Sequence, residues 1–213
     1  MFAKSVLVVT PLGDFGRSVC SLLTQQGYGA RLSEDERDAA WQAEKHDVDC
    51  VLIDWDPGEA FGMAVMTEVA ERSQAVPRII MSSAVNMRSA VMAFRAGAAD
   101  LLEKPLAPHE LRPAIDDAIL RAARSVRLSR DIAQARRSLA WLSGREQQVV
   151  AGIVAGLTSR EIADAVAISV RTVETSRTRL LGKLGVPNTA ALVRLAVLAG
   201  LTSLASEPVE LDA

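Results

Sequence analysis

The sequence predicts an α/β domain with a five-stranded, doubly wound parallel sheet, followed by a long helix and an all-α domain of four short helices. Two observations support this fold class. Over the first ~105 residues, short apolar runs alternate with stretches of helical periodicity. After residue 110 the strand-like runs stop and only helical patterns remain. A chain of 213 residues, 49% of them hydrophobic, is long enough for two domains that each bury a core.

The apolar runs of the first half are strand candidates because they are short and rich in Val, Ile and Leu. They are residues 5–10, 30–33, 51–54, 78–82 and 101–102. The helix candidates between them are residues 15–26, 34–45, 60–71 and 87–96. Parallel neighbouring strands need a crossover helix, so this alternation predicts a parallel sheet covered on both faces. The functional crevice of such a sheet lies at the carboxyl ends of its strands, which places together Thr10, Pro11, Asp54, Ser82 and Lys104.

Residues 110–142 are rich in Ala, Arg and Leu and predict one long helix. Apolar or small residues recur along it in two stretches with spacings of four and three: Ile115, Ile119, Ala122, Val126, Leu128, Ile132, Ala135, Leu139 and Leu142. This stripe fits a linker or dimer helix with a short coiled-coil seam, or the packed face of the last helix of the α/β domain. We expect the linker or dimer helix.

The last part of the chain predicts four amphipathic helices, near residues 143–155, 159–166, 170–184 and 189–200. Ser143 and Glu146 have the spacing of a capping box, and Ser159 and Ser169 can cap the next two helices. About three residues separate the second helix from the third, which is typical of a helix-turn-helix.

The third of these helices has one apolar and one basic face. Its polar positions are Arg171, Thr175, Thr178, Arg179 and Lys183. A cationic helix of this length fits the major groove of DNA, where its first residues reach base edges and its flanks contact phosphates. The alternative is an ordinary solvated helix face, but the short turn before the helix favours DNA binding.

The formal net charge of −2 conceals an uneven distribution. Residues 1–108 contain 10 basic and 15 acidic residues, whereas residues 109–206 contain 14 basic and 8 acidic ones. The remaining tail has three acidic residues: Glu207, Glu210 and Asp212. A basic second half favours nucleic acid as its partner, although uneven surface charge alone would give the same count.

Composition disfavours several other classes of protein. Cys20 and Cys50 are too few for a disulfide framework or a zinc site, so we expect packing residues, with a redox-sensing pair as the alternative. No apolar run approaches the ~18–20 residues of a membrane span and the first residues lack a signal-peptide pattern, so we expect a cytoplasmic protein with no membrane partner. No nucleophile–base constellation is present, so we do not expect an enzyme.

Motifs in both halves resemble known families. The second half contains Leu142-Ser143-Gly144-Arg145-Glu146, Gly156-Leu157-Thr158-Ser159-Arg160-Glu161-Ile162-Ala163, Ile168-Ser169-Val170-Arg171-Thr172-Val173-Glu174 and Lys183-Leu184-Gly185-Val186. These segments resemble the LuxR-type helix-turn-helix. Asp54, Ser82 and Lys104-Pro105, at the ends of the third, fourth and fifth strands, resemble a CheY-like response-regulator receiver. The whole chain is therefore similar to FixJ/NarL-family response regulators, which implies a transcriptional regulator whose receiver controls dimerisation and access to DNA.

The resemblance implies that Asp54 occupies the phosphoacceptor position and that Ser82 and Lys104 bind phosphoryl oxygens. In the family, an acidic pair after the first strand helps to hold Mg²⁺, which needs carboxylates and waters. Here the pair is replaced by Thr10 and Pro11. We therefore expect no catalytic residues, no metal site and no cofactor, with weak Mg²⁺ binding at Asp54 as the remaining alternative.

Two further positions depart from the family pattern. Trp55 lies beside Asp54, where its ring would narrow the pocket, and Leu101 replaces the usual aromatic switch residue. We expect an atypical receiver that is not switched by conventional Mg²⁺-dependent phosphorylation, with Asp54 held in an ion pair by Lys104. The alternative is a phosphorylation-activated two-component response regulator in which Asp14 or Asp56 substitutes in the metal site.

For the helix-turn-helix, the resemblance implies base-edge contacts from Glu174, Thr175 and Thr178. It implies phosphate contacts from seven residues: Ser159, Arg160, Arg171, Thr172, Arg177, Arg179 and Lys183. Ser176 stands where the family commonly has His. Glu174 has a structural alternative, an intrahelical ion pair with Arg171 or Arg177, which we favour.

We expect a receiver-like domain over 1–120, a linker helix over 121–140, a LuxR-type helix-turn-helix domain over 141–204 and an acidic tail over 205–213. The expected partners are double-stranded DNA, a second copy of the chain in a homodimer, and a sensor kinase or another regulator. The alternative from a different class is a pseudo-receiver interaction module with weak DNA binding.

Overall fold

The computed structural model describes residues 4–201, and the predicted acidic tail lies outside them. The chain divides into two compact units, Met1–Val126 and Arg127–Ala213, which are described separately below.

The first unit is built on one sheet of five parallel strands, as predicted. The strands are β1 (Ser5–Val9), β2 (Gly29–Ser33), β3 (Cys50–Asp54), β4 (Arg78–Ser82) and β5 (Asp100–Glu103). Their order in the sheet is β2-β1-β3-β4-β5, so the chain reverses direction across the sheet after β2. All five residues of β3 are buried, which explains why this central strand is a continuous apolar run that ends in Asp54.

Helices cover both faces of the sheet. They are α1 (Gly13–Gln25), α2 (Glu36–Lys45), α3 (Ala60–Arg72), α4 (Met87–Arg95) and α5 (Pro108–Ala140), of which α5 continues into the second unit. Side chains of α2 and α3 pack on one face around Ile53 and Ile80. Side chains of α1 and the first part of α5 pack on the other face around Leu52 and Ile79. The sheet is therefore doubly wound, and its carboxyl edge is left open between the helices.

Helix α5 is one continuous helix of 33 residues. Near its start, Leu111, Ile115 and Ala118 are buried in the core of the first unit. Near its end, Leu139 is buried in the core of the second unit. Leu120 and Leu128, which lie between these two packed segments, are 47% and 53% exposed. The apolar stripe is thus a packed face at both ends, and a coiled-coil seam in its middle stays a prediction.

As far as residue 201, the second unit contains four further helices around one apolar core. They are α6 (Gly144–Val154), α7 (Ser159–Val166), α8 (Val170–Leu184) and α9 (Thr189–Leu198). The chain passes from α7 to α8 through Ala167, which has a left-handed φ of 55°, and Ser169, whose side chain caps α8. This short connection makes α7 and α8 a helix-turn-helix.

Capping follows the prediction for α6 and α8 but not for α7. Ser143 and Glu146 form the expected capping box at the start of α6. Helix α7 is capped by Thr158, which forms a capping box with Glu161, and Ser159 is the first helical residue. The prediction that Ser159 caps α7 was wrong, because the acidic residue that completes the box lies three positions after Thr158 and only two after Ser159.

Both cysteines are free thiols. Cys50 is buried in β3, and burial raises the pKa of its thiol, which disfavours the reactive thiolate. No single helix of residues 4–201 is long and apolar enough to cross a membrane. Helices α8 and α9 reach that length and apolar content only when they are taken together, and the pair is bent by 66°.

Candidate functional site

The carboxyl edge of the sheet brings together side chains from the ends of four strands. Thr10 follows β1, Asp54 ends β3, Ser82 ends β4 and Lys104 follows β5. Parallel pairing of β1 with β3, of β3 with β4 and of β4 with β5 aligns these ends. The side chains form a polar pocket in which Asp54, Thr10 and Ser82 are almost fully buried.

Both carboxylate oxygens of Asp54 have partners inside this pocket. Thr10 donates its hydroxyl to Oδ2 at 2.7 Å, and Lys104 Nζ forms an ion pair with Oδ1. The side chain of Asp54 is only 5% exposed, so its charge is compensated by the ammonium group and the hydroxyl instead of by water. The ion pair that we expected between Asp54 and Lys104 is present.

Asp56 is a second carboxylate in the pocket, and its partners lie at the end of β4. Its Oδ1 accepts hydrogen bonds from the Ser82 hydroxyl at 2.7 Å and from the Ser83 amide at 2.6 Å. Its Oδ2 accepts from the Ser83 hydroxyl at 2.5 Å. Burial alone would raise the pKa of Asp56, but the hydrogen bonds from Ser83 and Ser82 and the charge of Lys104 lower it to about 2.

Lys104 lies between the two carboxylates. In addition to its ion pair with Asp54, its Nζ is 3.8 Å from Asp56 Oδ2. On another side, Nζ lies 4.9 Å from the centroid of the Phe15 ring in α1, a cation–π contact. The Lys104 side chain is 15% exposed, so one partly buried ammonium group compensates two carboxylates.

The residues of this pocket do not fit the Mg²⁺ ion that receivers use. Thr10 donates to Asp54 and Pro11 offers no carboxylate, while the oxygens of Asp54 and Asp56 already accept hydrogen bonds or ion pairs. Asp14 has a fully exposed side chain that pairs with Arg17, so it does not join Asp54. Among residues 4–201, no group of three or more His, Cys, Asp or Glu side chains is arranged to hold a metal ion.

Sequence reasoning missed the role of Asp56. Asp56 was predicted only as a substitute metal ligand, and no role was predicted for Ser83. A signal was available: Asp56 lies two residues past the end of β3, and two consecutive serines stand at the end of the neighbouring β4. Such serines present hydroxyl and amide donors toward a carboxylate at the same edge of the sheet.

The structure corrects the prediction for Trp55. We expected its ring to narrow the pocket beside Asp54, but the ring is buried in the apolar core between the sheet, α2 and α3. Its indole N–H donates to the carbonyl oxygen of Glu59 at 3.2 Å. Successive side chains of an extended segment point to opposite sides, which explains why Trp55 and Asp54 diverge.

Helix α8 presents a polar surface to solvent, as its periodicity predicts. Val173 and Leu180 are buried against the other helices of the unit. Most of the predicted DNA-contacting residues of α8 are exposed: Arg171, Thr172, Glu174, Thr175, Thr178, Arg179 and Lys183. Arg160, in the first turn of α7, is also exposed.

Four of the predicted phosphate-binding residues also form side-chain contacts within the unit. The hydroxyl of Thr172 lies 2.7 Å from that of Ser169, and the other three are Ser159, Arg177 and Lys183. Arg177 is half-buried, and its Nη1 donates to the hydroxyl of Ser159 at 3.3 Å, which joins α8 to the start of α7. Lys183 Nζ forms an ion pair with Glu146 Oε2 at 2.7 Å, which joins the end of α8 to the start of α6. These contacts join α8 to α6 and α7 in addition to the apolar packing of Val173 and Leu180.

The structural alternative for Glu174 was wrong. Glu174 forms no ion pair with Arg171, with Arg177 or with any other residue that the structure describes. Arg177 instead turns toward Ser159, which removes one of the two partners that we had expected for Glu174.

Both halves match models of known families. Residues 6–116 match the response regulator receiver domain, and residues 140–196 match the bacterial regulatory proteins of the luxR family. The transcriptional regulatory protein FixJ of Bradyrhizobium diazoefficiens is 34% identical over 183 residues, which cover 84% of this chain and 88% of FixJ. The chain belongs to the FixJ/NarL-type response regulators. It is a two-component response regulator with a LuxR-type DNA-binding domain.

Other members of the family are similar along most of their length. FixJ of Rhizobium meliloti is 30% identical over 189 residues, which cover 86% of this chain and 90% of that protein. Full-length FixJ from B. japonicum superposes with a TM-score of 0.56 at 28% identity, covering 94% of this chain and 99% of that one. The response regulator StyR superposes with a TM-score of 0.69 at 24% identity, covering 92% and 98% of the two chains, and at this identity it supports the fold alone.

The contacts of Glu146 predict a pH-dependent contribution to the stability of this family member. The hydrogen bond from Lys183 and those from Ser143 lower the pKa of Glu146 to about 2 from an ordinary value of 4.5. The pKa is lower in the folded state, so the contribution is complete above pH 4.5 and is lost as the pH falls toward 2. We expect Glu146→Gln to unfold at a lower temperature than the wild type at pH 7 in scanning calorimetry.

The matched control is Glu161→Gln, which removes the equivalent carboxylate from the capping box of α7. Glu161 accepts from Thr158 but forms no ion pair with a described residue, so its substitution should lower the unfolding temperature less. The difference between wild type and Glu146→Gln should shrink between pH 4.5 and 2. A difference that is independent of pH over this interval would show that the ion pair with Lys183 does not contribute.

Proposed function

We propose that this protein is a DNA-binding transcriptional regulator with an atypical receiver, whose output does not depend on conventional Mg²⁺-dependent phosphorylation of Asp54. Membership of the family does not separate this proposal from an ordinary receiver, so the proposal rests on the pocket. The observation that supports it most strongly is that both carboxylates of the pocket already have internal partners: Thr10 and Lys104 for Asp54, and Ser82 and Ser83 for Asp56.

The chemistry of phosphoryl acceptance explains why these partners matter. A carboxylate attacks a phosphoryl group only when the repulsion between the two anions is reduced, which is the work of a divalent cation and neighbouring donors. In this pocket Thr10 and Pro11 replace the acidic pair that would hold such a cation beside Asp54, and the Asp56 carboxylate is already bound by Ser82 and Ser83. Asp54 therefore acts in the proposal as a structural anion for Lys104, and the receiver has no catalytic residue.

DNA binding by the second unit is proposed to use α8 in the major groove. In this proposal Glu174, Thr175 and Thr178 face base edges, since all three are exposed on α8. The phosphate contacts are proposed for Ser159, Arg160, Arg171, Thr172, Arg177, Arg179 and Lys183. Lys183 must share its ammonium group between Glu146 and a phosphate, so we expect it to contribute less than Arg179.

We further propose that the chain acts as a homodimer in the cytoplasm and binds an imperfect inverted repeat. Two copies of a helix-turn-helix read half-sites about one DNA turn apart, so a two-fold site implies a two-fold protein. The receiver would be the docking site for a sensor kinase or another regulator. We propose a domain organisation with the receiver over 1–120, the linker helix over 121–140 and the DNA-binding domain over 141–204.

A second candidate function is a phosphorylation-activated regulator. Asp54 at the end of β3, Ser82 at the end of β4 and Lys104 after β5 are retained, and these observations favour it. It requires the ion pair between Asp54 and Lys104 to open and a cation to bind with fewer carboxylates than usual. The third alternative, an interaction module with weak DNA binding, requires that the basic surface of α8 does not bind DNA.

The first test of the proposal is phosphorylation by a small donor. Incubation of the full chain with acetyl phosphate and Mg²⁺ should leave its intact mass and its DNA affinity unchanged, because Asp54 is held by Lys104 and lacks a metal site. Mass spectrometry detects a phosphoryl group as a gain of about 80 Da. A gain that is present in the wild type and absent from Asp54→Asn would support the second candidate function instead.

The second test concerns the phosphate contacts of α8. Arg179→Ala should weaken binding to specific and non-specific DNA by a similar factor and reduce the salt slope of the logarithm of the binding constant by about 1, because one phosphate contact is lost. Fluorescence anisotropy at several salt concentrations measures both quantities. Arg194→Ala, which removes an exposed arginine from α9, is the matched control and should leave the slope unchanged. Loss of affinity for the specific site alone would assign Arg179 to a base contact.

A further inference from the structure

We propose that Asp56 is a resident anion that occupies the phosphoryl-binding donors of the pocket and fixes the loop between β4 and α4. This inference rests on the proposed phosphorylation-independent receiver and names the residue that replaces the phosphoryl group. The resemblance assigns the Ser82 hydroxyl and the Lys104 ammonium group to phosphoryl oxygens, and we add to them the amide and hydroxyl of Ser83, which donate to the same carboxylate.

The Asp56 carboxylate is surrounded by donors of Ser82, Ser83 and Lys104, which together we call the cradle. Its two oxygens receive three hydrogen bonds of 2.5–2.7 Å from Ser82 and Ser83, and Lys104 Nζ lies 3.8 Å away. Three donors and one cation around two oxygens satisfy a carboxylate as they would satisfy two oxygens of a phosphoryl group. In the part of the chain that the structure describes, both the amide and the hydroxyl of Ser83 donate to Asp56, so neither is available to another oxyanion.

Asp56 is connected to the start of α4 by hydrogen bonds that are joined through the backbone of Ala84. The Ser82 hydroxyl, which donates to Asp56, accepts a hydrogen bond from the amide of Ala84 at 3.2 Å. The carbonyl oxygen of Ala84 then accepts from the hydroxyl of Ser89 at 3.0 Å. Ser89 is buried and forms the capping box of α4 with Asn86. The carboxylate therefore anchors the whole loop to the first turn of α4.

Fixing this loop has a consequence for the surface of the receiver. Helix α4 exposes apolar side chains, among them Met87 at 82% and Phe94 at 52%. A ligand that came and went in the pocket would change the loop that positions this helix. Because Asp56 is covalently part of the chain, its effective concentration is fixed and the loop keeps one arrangement at all phosphate concentrations.

The experiment removes the resident anion and supplies a free one. In full-length Asp56→Ala the cradle is vacant, and inorganic phosphate should bind to it. We expect phosphate to raise the unfolding temperature of Asp56→Ala in a saturable way, and at ten times its dissociation constant to raise the ratio of folded to unfolded protein about elevenfold. The wild type should show no comparable rise, because Asp56 occupies the donors. Should Asp56→Ala fail to fold without phosphate, its refolding yield with and without phosphate provides the same comparison.

Two further variants serve as controls. Asp14→Ala removes an exposed carboxylate of the same unit and should respond to phosphate like the wild type. Asp56→Ala combined with Ser82→Ala removes one donor of the cradle and should lose most of the response. Phosphate that binds to the basic second unit affects all the variants equally, so only the differences between them matter.

The inference is overturned if the wild type responds to phosphate as strongly as Asp56→Ala, or if Asp56→Ala responds no more than Asp14→Ala. Neither readout uses DNA or phosphorylation of Asp54. If the proposed function fails, the wild type gains about 80 Da from acetyl phosphate. If this inference fails, phosphate does not distinguish Asp56→Ala from the other proteins, so the two failures are distinguishable.

Discussion

One ammonium group, that of Lys104, compensates two carboxylates at the carboxyl edge of the receiver sheet. Asp54 is almost fully buried, so its charge is stable there only because Lys104 and Thr10 replace water as its partners. Removing one partner of a buried ion pair typically costs about 3–5 kcal/mol, since the other charge is then left without compensation. The pocket is consequently a closed set of internal contacts, and a divalent cation or a phosphoryl group would have to break them.

The second unit depends on contacts that orient α8 without covering its polar surface. Lys183 binds Glu146 of α6, and Arg177 binds Ser159 of α7, while Thr175, Thr178 and Arg179 remain exposed. Such an arrangement is preorganised, because the recognition helix does not need to be ordered when DNA binds. The two units thus differ in their use of charge: the two carboxylates of the receiver pocket have internal partners, whereas the helix-turn-helix leaves basic groups for an external polyanion.

The sequence was sufficient for the fold because hydrophobic periodicity determines which residues each strand and helix buries. It was also sufficient for the ion pair between Asp54 and Lys104, because parallel strands bring their carboxyl ends to one edge. It was insufficient where the hydrogen-bond or ion-pair partner of a side chain depends on the conformation of a loop or on a rotamer. Asp56 binds Ser82 and Ser83 across a gap of 26 and 27 residues, and Lys183 binds Glu146 across 37. The orientation of Trp55 likewise depends on local backbone geometry. The choice of Thr158 over Ser159 as a cap, in contrast, could have been predicted, because Glu161 lies at capping-box spacing from Thr158.

The central claim is that the carboxylates of the receiver pocket have internal hydrogen-bond and ion-pair partners, so that DNA binding does not require a phosphoryl group on Asp54. The most direct measurement is recovery of genomic DNA fragments by the full chain and by Asp54→Asn, which keeps the shape of the side chain but cannot accept a phosphoryl group. Both proteins, isolated from cells that contain the cognate kinases, should enrich the same fragments to the same extent. Enrichment by the wild type that is lost by Asp54→Asn, although circular dichroism shows that this variant is folded, would contradict the claim.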